Sequence, residues 1–361
     1  MNIVVTGTRG IPDIMGGVET HCEELFPRLA TKGHNITIVR RTSYVKDNLN
    51  EWKGVKLINI KCPKKKYLEA IVHTFKAINL AKRIRADIVH IHATGPAILV
   101  PYAKLRRMKV VFTHHGPDYD RAKWGKLAKQ ILKLGERMGC MFADKVIVIS
   151  DVIKELIAQK YGRTKGVELI YNGVPAPNHC NDDDYFQLLG IEKKKYIFAM
   201  GRFVPEKNLH HIIEAFNRIE KQEYKLVLAG DSDFDDDYSR KLKKTAKEKG
   251  IILTGFIKGR KLQSLLTHSK CFVLASSHEG LPIALLEAMS YELPIIVSDI
   301  PANLAVGLNQ ECYFTCGNIQ ELAAKLKTQL NEKNHSYSYN MEKYDWNTIA
   351  EKVNQVYNSI K

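Results

Sequence analysis

Glu279 and Glu287 stand with seven residues between them in the stretch SSHEGLPIALLEAMSYELPIIVSD, residues 276–299. The first glutamate sits in a Gly/Pro turn after an apolar strand pattern, and the second falls two turns inside the apolar helix that follows. Pro282 suits the first turn of that helix. The backbone N–H groups at such a terminus form an anion site, helped by the helix dipole. An acid at that spot has two readings. Glu279 caps the helix, or it meets a neutral polyhydroxyl group while the N–H groups of Gly280, Leu281 and the residues after Pro282 meet phosphate. Glu287, placed on an otherwise apolar face, then accepts from a ribose diol. Arg202 and Lys207, in GRFVPEKN (201–208), follow another strand pattern, YIFAMG. They are either solvated surface charges or a diphosphate clamp, with the guanidinium as a fork and the ammonium as a point charge. Carboxylates set for hydroxyls, beside cations and N–H groups set for phosphates, describe a nucleotide-sugar pocket. The acidic run DSDFDDD (231–237) contains a D-x-D that could offer oxygens to a divalent metal. We expect no metal, because the cationic clamp already neutralises a diphosphate.

These residues need elements to hold them at the ends of strands. Eleven apolar, β-rich runs alternate with helical patterns: 2–7, 35–40, 87–92, 109–114, 145–150, 167–172, 196–201, 225–230, 251–256, 271–276 and 294–299. Strands apolar nearly throughout and separated by amphipathic helices predict parallel sheets covered on both faces. The unit repeats on either side of YNGVPAPNHCNDDD (171–184), whose Pro, Gly and Asn mark a linker. The expected fold is α/β, with two Rossmann-like doubly wound domains facing across a cleft. Domain one spans 1–174 and domain two 175–340. Residues 341–361 form a C-terminal amphipathic helix that packs either on domain two or back on domain one. Ligands of such sheets sit at the carboxyl ends of the strands, and the cleft is the default site.

The 361 residues carry a net charge of +16, and the excess is not spread evenly. Residues 1–174 hold 31 basic against 15 acidic side chains, and residues 175–361 hold 24 of each. An acidic partner should therefore meet the first half. In RAKWGKLAKQILKLGERM (121–138), Trp124, Leu127, Ile131, Leu134 and Met138 share an apolar stripe, with Lys126, Lys129, Lys133 and Arg137 along another face. CPKKKYLEAIVHTFKAINLAKRIRA (62–86) repeats the theme. The choice is between ordinary helices with a solvated basic face and docking on an anionic membrane surface. Nucleic acid is not expected, because neither aromatic stacking platforms nor a recognition-helix motif accompanies the charge. No apolar run is long enough for a membrane span, and Met1 leads straight into a strand pattern with no secretory leader. Seven scattered cysteines show neither zinc nor disulfide spacing, which fits a reduced, cytoplasmic setting.

The E-x7-E at Glu279–Glu287, together with GRFVPEKN and LAGDS, resembles glycosyltransferase family 4, the retaining enzymes of the GT-B fold found in bacterial surface-polysaccharide assembly. The likeness runs nearly end to end and includes TRGIPDIMGGVETHCEELFPRLATKGHNITIV, THHGPD and YNGVP. It implies a metal-independent, hexosyltransferase-type enzyme without a cofactor. The implied donor is a UDP- or GDP-sugar. The implied acceptor is a glycan, lipid-linked at the inner face of the cytoplasmic membrane. Arg202 and Lys207 match the pair that holds the donor diphosphate, Glu279 the acid on sugar hydroxyls, and Glu287 the acid on ribose. Gly16 and Gly17 match the glycine loop against the donor, and His115, with His114 as the alternative, matches the histidine beside the donor sugar. The acceptor is implied to attack from the leaving-group face, so the two-carboxylate scheme of retaining hydrolases is not transferred to Glu279 and Glu287. The chain departs from the family after PIIVSD: a glycine pair and an acid are replaced by IPANLAVG, with Leu304 and Ala305 in that region. Two rival readings stand beside this one. They are a nucleotide-sugar epimerase of the same fold, and a non-catalytic nucleotide- or nucleic-acid-binding protein.

Overall fold

Runs of β-branched and apolar residues form strands buried on both faces, because helices cover each face. The computed structural model describes residues 1–63, 68–121, 124–221, 223–233, 235–332 and 337–360. The chain divides into two units: Met1–Gly173 with Lys343–Lys361, and Val174–Glu342. The division falls inside the Pro/Gly/Asn-rich stretch 171–184.

Among the described residues, the first unit holds eight strands: β1 (Asn2–Thr6), β2 (Asn35–Arg41), β3 (Glu51–Trp52), β4 (Val55–Ile60), β5 (Ile88–His92), β6 (Lys109–His114), β7 (Lys145–Val148) and β8 (Val167–Leu169). Their order across the sheet is β3-β4-β2-β1-β5-β6-β7-β8. All neighbours run parallel except β3 against β4. The strand order reverses direction at β1, between β2 and β5, so chain segments leaving β1 and β5 diverge and open a crevice at their carboxyl ends. The second unit holds β9 (Tyr196–Met200), β10 (Lys225–Ala229), β11 (Ile252–Gly255), β12 (Cys271–Leu274), β13 (Ile295–Ser298) and β14 (Tyr313–Phe314). Its order is β11-β10-β9-β12-β13-β14, all parallel, with the reversal between β9 and β12. The eleven strand patterns in the sequence all become strands. Three more exist. β4 alternates between buried and open positions instead of running apolar throughout, and β3 and β14 are two residues each, too short for any period.

The tail helix, Trp346–Asn358, lies in the core of the first unit and packs on the helix Gly17–Thr31. Asp345 accepts from Thr348 N–H at 2.8 Å and caps it. Trp346, Ile349, Ala350, Val353, Val356 and Tyr357 form its buried stripe; each large member contributes about 1.5–3 kcal/mol by leaving water. Gly173 lies flat against the indole: a Cβ there would stand 2.5 Å from Trp346 Cδ2.

The basic helix of the first unit runs Lys126–Phe142; Ala122 and Lys123, ahead of it, lie outside the described residues, as do Lys64–Lys66 and Tyr67 of the other basic segment. The predicted apolar stripe is not its core face. Ala128, Gly135, Glu136, Gly139 and Cys140 face inward, while Leu127 is 77% exposed and Leu134 46%. The reason is close approach. A Cβ on Gly135 would sit 2.1 Å from the Thr94 carbonyl oxygen, and one on Gly139 would sit 2.7 Å from the Phe112 ring. Small residues let the helix lie against the sheet, so its large apolar residues have only the outside to occupy.

Candidate functional site

In the second unit, Arg202 follows β9 and Glu279 follows β12, the two strands at the switch point. Lys207 ends the one-turn helix Pro205–Lys207. Its methylenes lie against Gly201, where a Cβ would stand 3.5 Å from Lys207 Cδ. Its Nζ donates to Glu279 Oε1 at 2.5 Å. Arg202 Nη1 donates to Asp233 Oδ2 at 3.1 Å. All four side chains are less than a fifth exposed. Two bonds tie the loop after β9 to the loop after β12. Asn208 Nδ2 donates to the Ala275 carbonyl at 3.0 Å, and Ser277 N–H donates to the Glu206 carbonyl at 2.9 Å. Asn208 holds φ 47°, a left-handed conformation that Asn tolerates better than most residues. Sequence reasoning missed this positioning residue; its type, one residue past the lysine, was the available signal.

The helix Ile283–Ser290 begins at Pro282, and no side chain of that N-cap closes it. Gly280 and Leu281 run into this start, and Glu287 lies partly exposed in the second turn. So Glu279, Lys207, Arg202 and an N-terminus of N–H groups gather at one switch point. The carboxylates of the acidic run 231–237 are engaged with cations and a helix cap. Asp231 pairs with Lys243 at 2.6 Å, Asp233 with Arg202, and Asp235 and Asp237 with Arg240. Asp236 caps the next helix through Ser239 N–H.

In the first unit, Gly16 is the N-cap of the helix Gly17–Thr31 at φ 149°. A Cβ there would meet Glu19 Oε2 at 2.1 Å. Glu19 is buried, and its Oε1 accepts from Arg9 N–H at 3.0 Å and Thr8 Oγ1 at 3.2 Å. Gly16 therefore serves the backbone. Gly17 faces open space, with nothing within 4 Å of a would-be Cβ, so packing does not require its missing side chain.

The two histidines after β6 have different surroundings. His114 is fully buried. Gly116 N–H donates to its Nδ1 at 3.0 Å, so the proton is on Nε2, which donates to Glu136 Oε1 at 2.8 Å. Tyr119, Tyr161 and Lys160 also donate to Glu136. Burial pushes the Glu136 carboxyl up, but the bonds from His114, Lys160 and Tyr161 outweigh it and hold the group at about 2. His114 is thus part of a structural knot. His115 is partly exposed and joins a different group. Its Nε2 lies 2.9 Å from His92 Nδ1, and its ring centroid lies 5.0 Å from that of His21. His90 stacks on His92 at 4.3 Å and bonds Tyr357 and Thr113, each at 2.6 Å. His21 Nδ1 meets Asn172 Oδ1 at 2.9 Å. Burial lowers His21 to about 4, with Asn172 opposing, and lowers His90 to about 3. Burial and neighbouring imidazoles hold His92 and His115 well below the ordinary value. The wall is neutral at pH 7. Sequence reasoning missed His21, His90, His92 and Asn172. The I-V-H-I-H spacing at the end of β5, which places two histidines on one sheet face, was the signal for two of them.

Residues 15–176 match the family described as Glycosyltransferase Family 4, and residues 181–346 match Glycosyl transferases group 1. A UDP-Gal:alpha-D-GlcNAc-diphosphoundecaprenol alpha-1,3-galactosyltransferase of Escherichia coli is 27% identical over 82% of this chain and 80% of its own length. The amylovoran biosynthesis glycosyltransferase AmsD of Erwinia amylovora is 25% identical over 87% of this chain and 86% of its own. Among solved structures, HepE of Anabaena in complex with UDP and glucose superposes with a TM-score of 0.80 at 18% identity, over 99% of this chain and all of that one.

Proposed function

We propose, for a chain that is a glycosyltransferase of the GT-B fold, that it moves a hexose from a UDP- or GDP-linked donor to a lipid-linked glycan with retention of configuration and without a metal. The observation behind this reading is the meeting of Arg202, Lys207 and Glu279 with the start of the helix Ile283–Ser290 at the β9/β12 switch point. When the bond from the anomeric carbon to the diphosphate breaks, negative charge grows on the β-phosphate. Arg202, Lys207 and the helix N–H groups are fixed donors for that charge. Glu279 holds sugar hydroxyls, Glu287 holds ribose, and Gly16, Gly17 and His115 take the donor-side roles that the resemblance gives them. Metal independence is supported by the engagement of the 231–237 carboxylates with cations and a helix cap. Relatives named for amylovoran biosynthesis, for capsular polysaccharide biosynthesis and for transfer to GlcNAc-diphosphoundecaprenol support the acceptor class.

An anionic bilayer is the partner proposed for the first unit. Leu127, Leu134 and Met141 lie seven residues apart in one line on the helix Lys126–Phe142, exposed, with Phe142 beside them. Lys126, Lys133 and Arg137 are exposed next to that line. Each such cation near an anionic surface contributes about 1 kcal/mol. Among the described residues, no helix is long and apolar enough to cross a membrane, and the attachment proposed is peripheral.

A thermal-shift titration with UDP, GDP and ADP, with and without EDTA, tests the donor site. At about a hundred times its dissociation constant, the right nucleotide stabilises the protein by about 2.7 kcal/mol, and EDTA leaves that nucleotide-induced shift unchanged. No response to any of the three removes the donor-site assignment. A response abolished by EDTA removes the metal-free clamp.

A further inference from the structure

The imidazole wall of the first unit holds a feature that sugar transfer does not explain. His21, His92 and His115 each offer one ring nitrogen, and these three atoms lie within 4.8 Å of one another. Asn172 Oδ1 can only accept, so His21 carries its proton on Nδ1 and turns an unprotonated Nε2 the other way. That Nε2 is buried with no hydrogen-bond partner. Lone buried imidazole nitrogens are uncommon in a folded core. We propose that His21, His92 and His115 form a binding site for one divalent cation of the zinc class, held by three imidazole nitrogens with one coordination position left open.

Three observations support this. The donor set is right: neutral imidazole is the preferred nitrogen ligand of zinc, and three histidines with an open position form a recurring arrangement. The spacing is close to right. Zinc–nitrogen bonds of about 2.0–2.1 Å in a tetrahedron put ligand nitrogens roughly 3.3 Å apart. His92 Nδ1 and His115 Nε2 are already 2.9 Å apart, and the His21 nitrogen lies within 4.8 Å of both. The outer shell is in place too. Asn172 Oδ1 fixes the tautomer of His21 as a carbonyl behind a metal-bound histidine does, and Trp346 packs edge-on at 5.5 Å. The partly exposed side of His115 is the way in. Any effect on transfer rests on the role proposed for His115; binding does not, so the test reads binding.

The full-length protein, stripped with EDTA and desalted, is titrated with zinc chloride against a chromophoric chelator at pH 7.5. A parallel titration with Co²⁺ is followed by its visible absorption. The expected result is one saturable ion per chain, a tetrahedral cobalt spectrum of nitrogen ligands, and affinity reduced about tenfold or more in both H21Q and H115Q. The double variant H210Q/H211Q removes a neighbouring imidazole pair of the second unit and should bind as the parent does. Circular dichroism checks each fold; should buried His21→Gln fail to fold, the partly exposed H115Q decides alone. No saturable binding, undiminished affinity in H115Q, loss confined to H210Q/H211Q, or a thiolate–cobalt charge-transfer band would each overturn the proposal.

Discussion

Lys207 and Glu279 neutralise each other across less than 3 Å at the end of β12, so the diphosphate proposed to bind there would share the lysine with the acid. Glu279→Ala should leave the fold intact and lower transfer by about a hundredfold or more, the scale of losing one fixed transition-state contact. Turnover in a donor-saturated assay checks this, and a parent-like rate removes Glu279 from the chemistry. The adjacent histidines should separate cleanly. His114→Ala removes a buried donor to Glu136 and should cost about 1–3 kcal/mol in urea unfolding. His115→Ala should leave unfolding nearly unchanged and reduce transfer. The reverse pattern would assign the catalytic role to His114. The grouping of Arg202, Lys207 and Glu279 is legible in the sequence because their charges stand in turns right after strands. The imidazole wall is not, because positions 21, 92 and 115 are remote in sequence, and only the sheet order puts β5 beside β6 and under the first helix.

At the scale of elements, the helix Lys126–Phe142 shows what periodicity can and cannot say. Its pattern announces an amphipathic helix and names the members of the apolar stripe. It does not reveal that Gly135 and Gly139 leave no room for side chains toward the sheet, which turns the large residues outward. The double variant Leu127→Asp/Leu134→Asp should therefore melt within about 0.5 kcal/mol of the parent, as surface changes do. It should also lose most binding to anionic vesicles at low salt. Co-sedimentation with anionic and neutral vesicles measures the second effect. Equal binding of parent and variant would move the docking face elsewhere. The tail helix is a related case, since its stripe predicts a buried face but carries no information about which sheet it covers.

At the scale of the whole chain, burial of neutral imidazoles makes the first unit sensitive to mild acid. Burial holds His73 and His90 at about 3, against an ordinary 6.5. Below pH 6.5 the unfolded chain therefore binds protons that the folded chain refuses. Stability is complete above about 6.5 and is lost as pH falls toward the folded values. At pH 5.5 each group costs about 1.4 kcal/mol. Glu136 does not contribute in this window, because its lowered pKa stabilises the fold until pH drops below its ordinary value of about 4.5. Trp52, Trp124 and Trp346 are the chain's three tryptophans, and all lie in the first unit. Their fluorescence should report a melting temperature roughly 5–10 °C lower at pH 5.5 than at pH 7.5; an unchanged melt would show that these rings titrate in the fold as they do in the unfolded chain.

The route of the chain also sets an order of events during synthesis. The first unit begins at Met1 yet takes Trp346, Val353 and Tyr357 into its core. A ribosome makes these residues only after the whole of Val174–Glu342 has been translated. The second unit is contiguous and can fold as it emerges, while the first waits with the apolar side of the helix Gly17–Thr31 uncovered. The half of the protein that is translated first is therefore the half that is finished last, and the nascent chain must be kept from aggregating through that face until its final turns arrive.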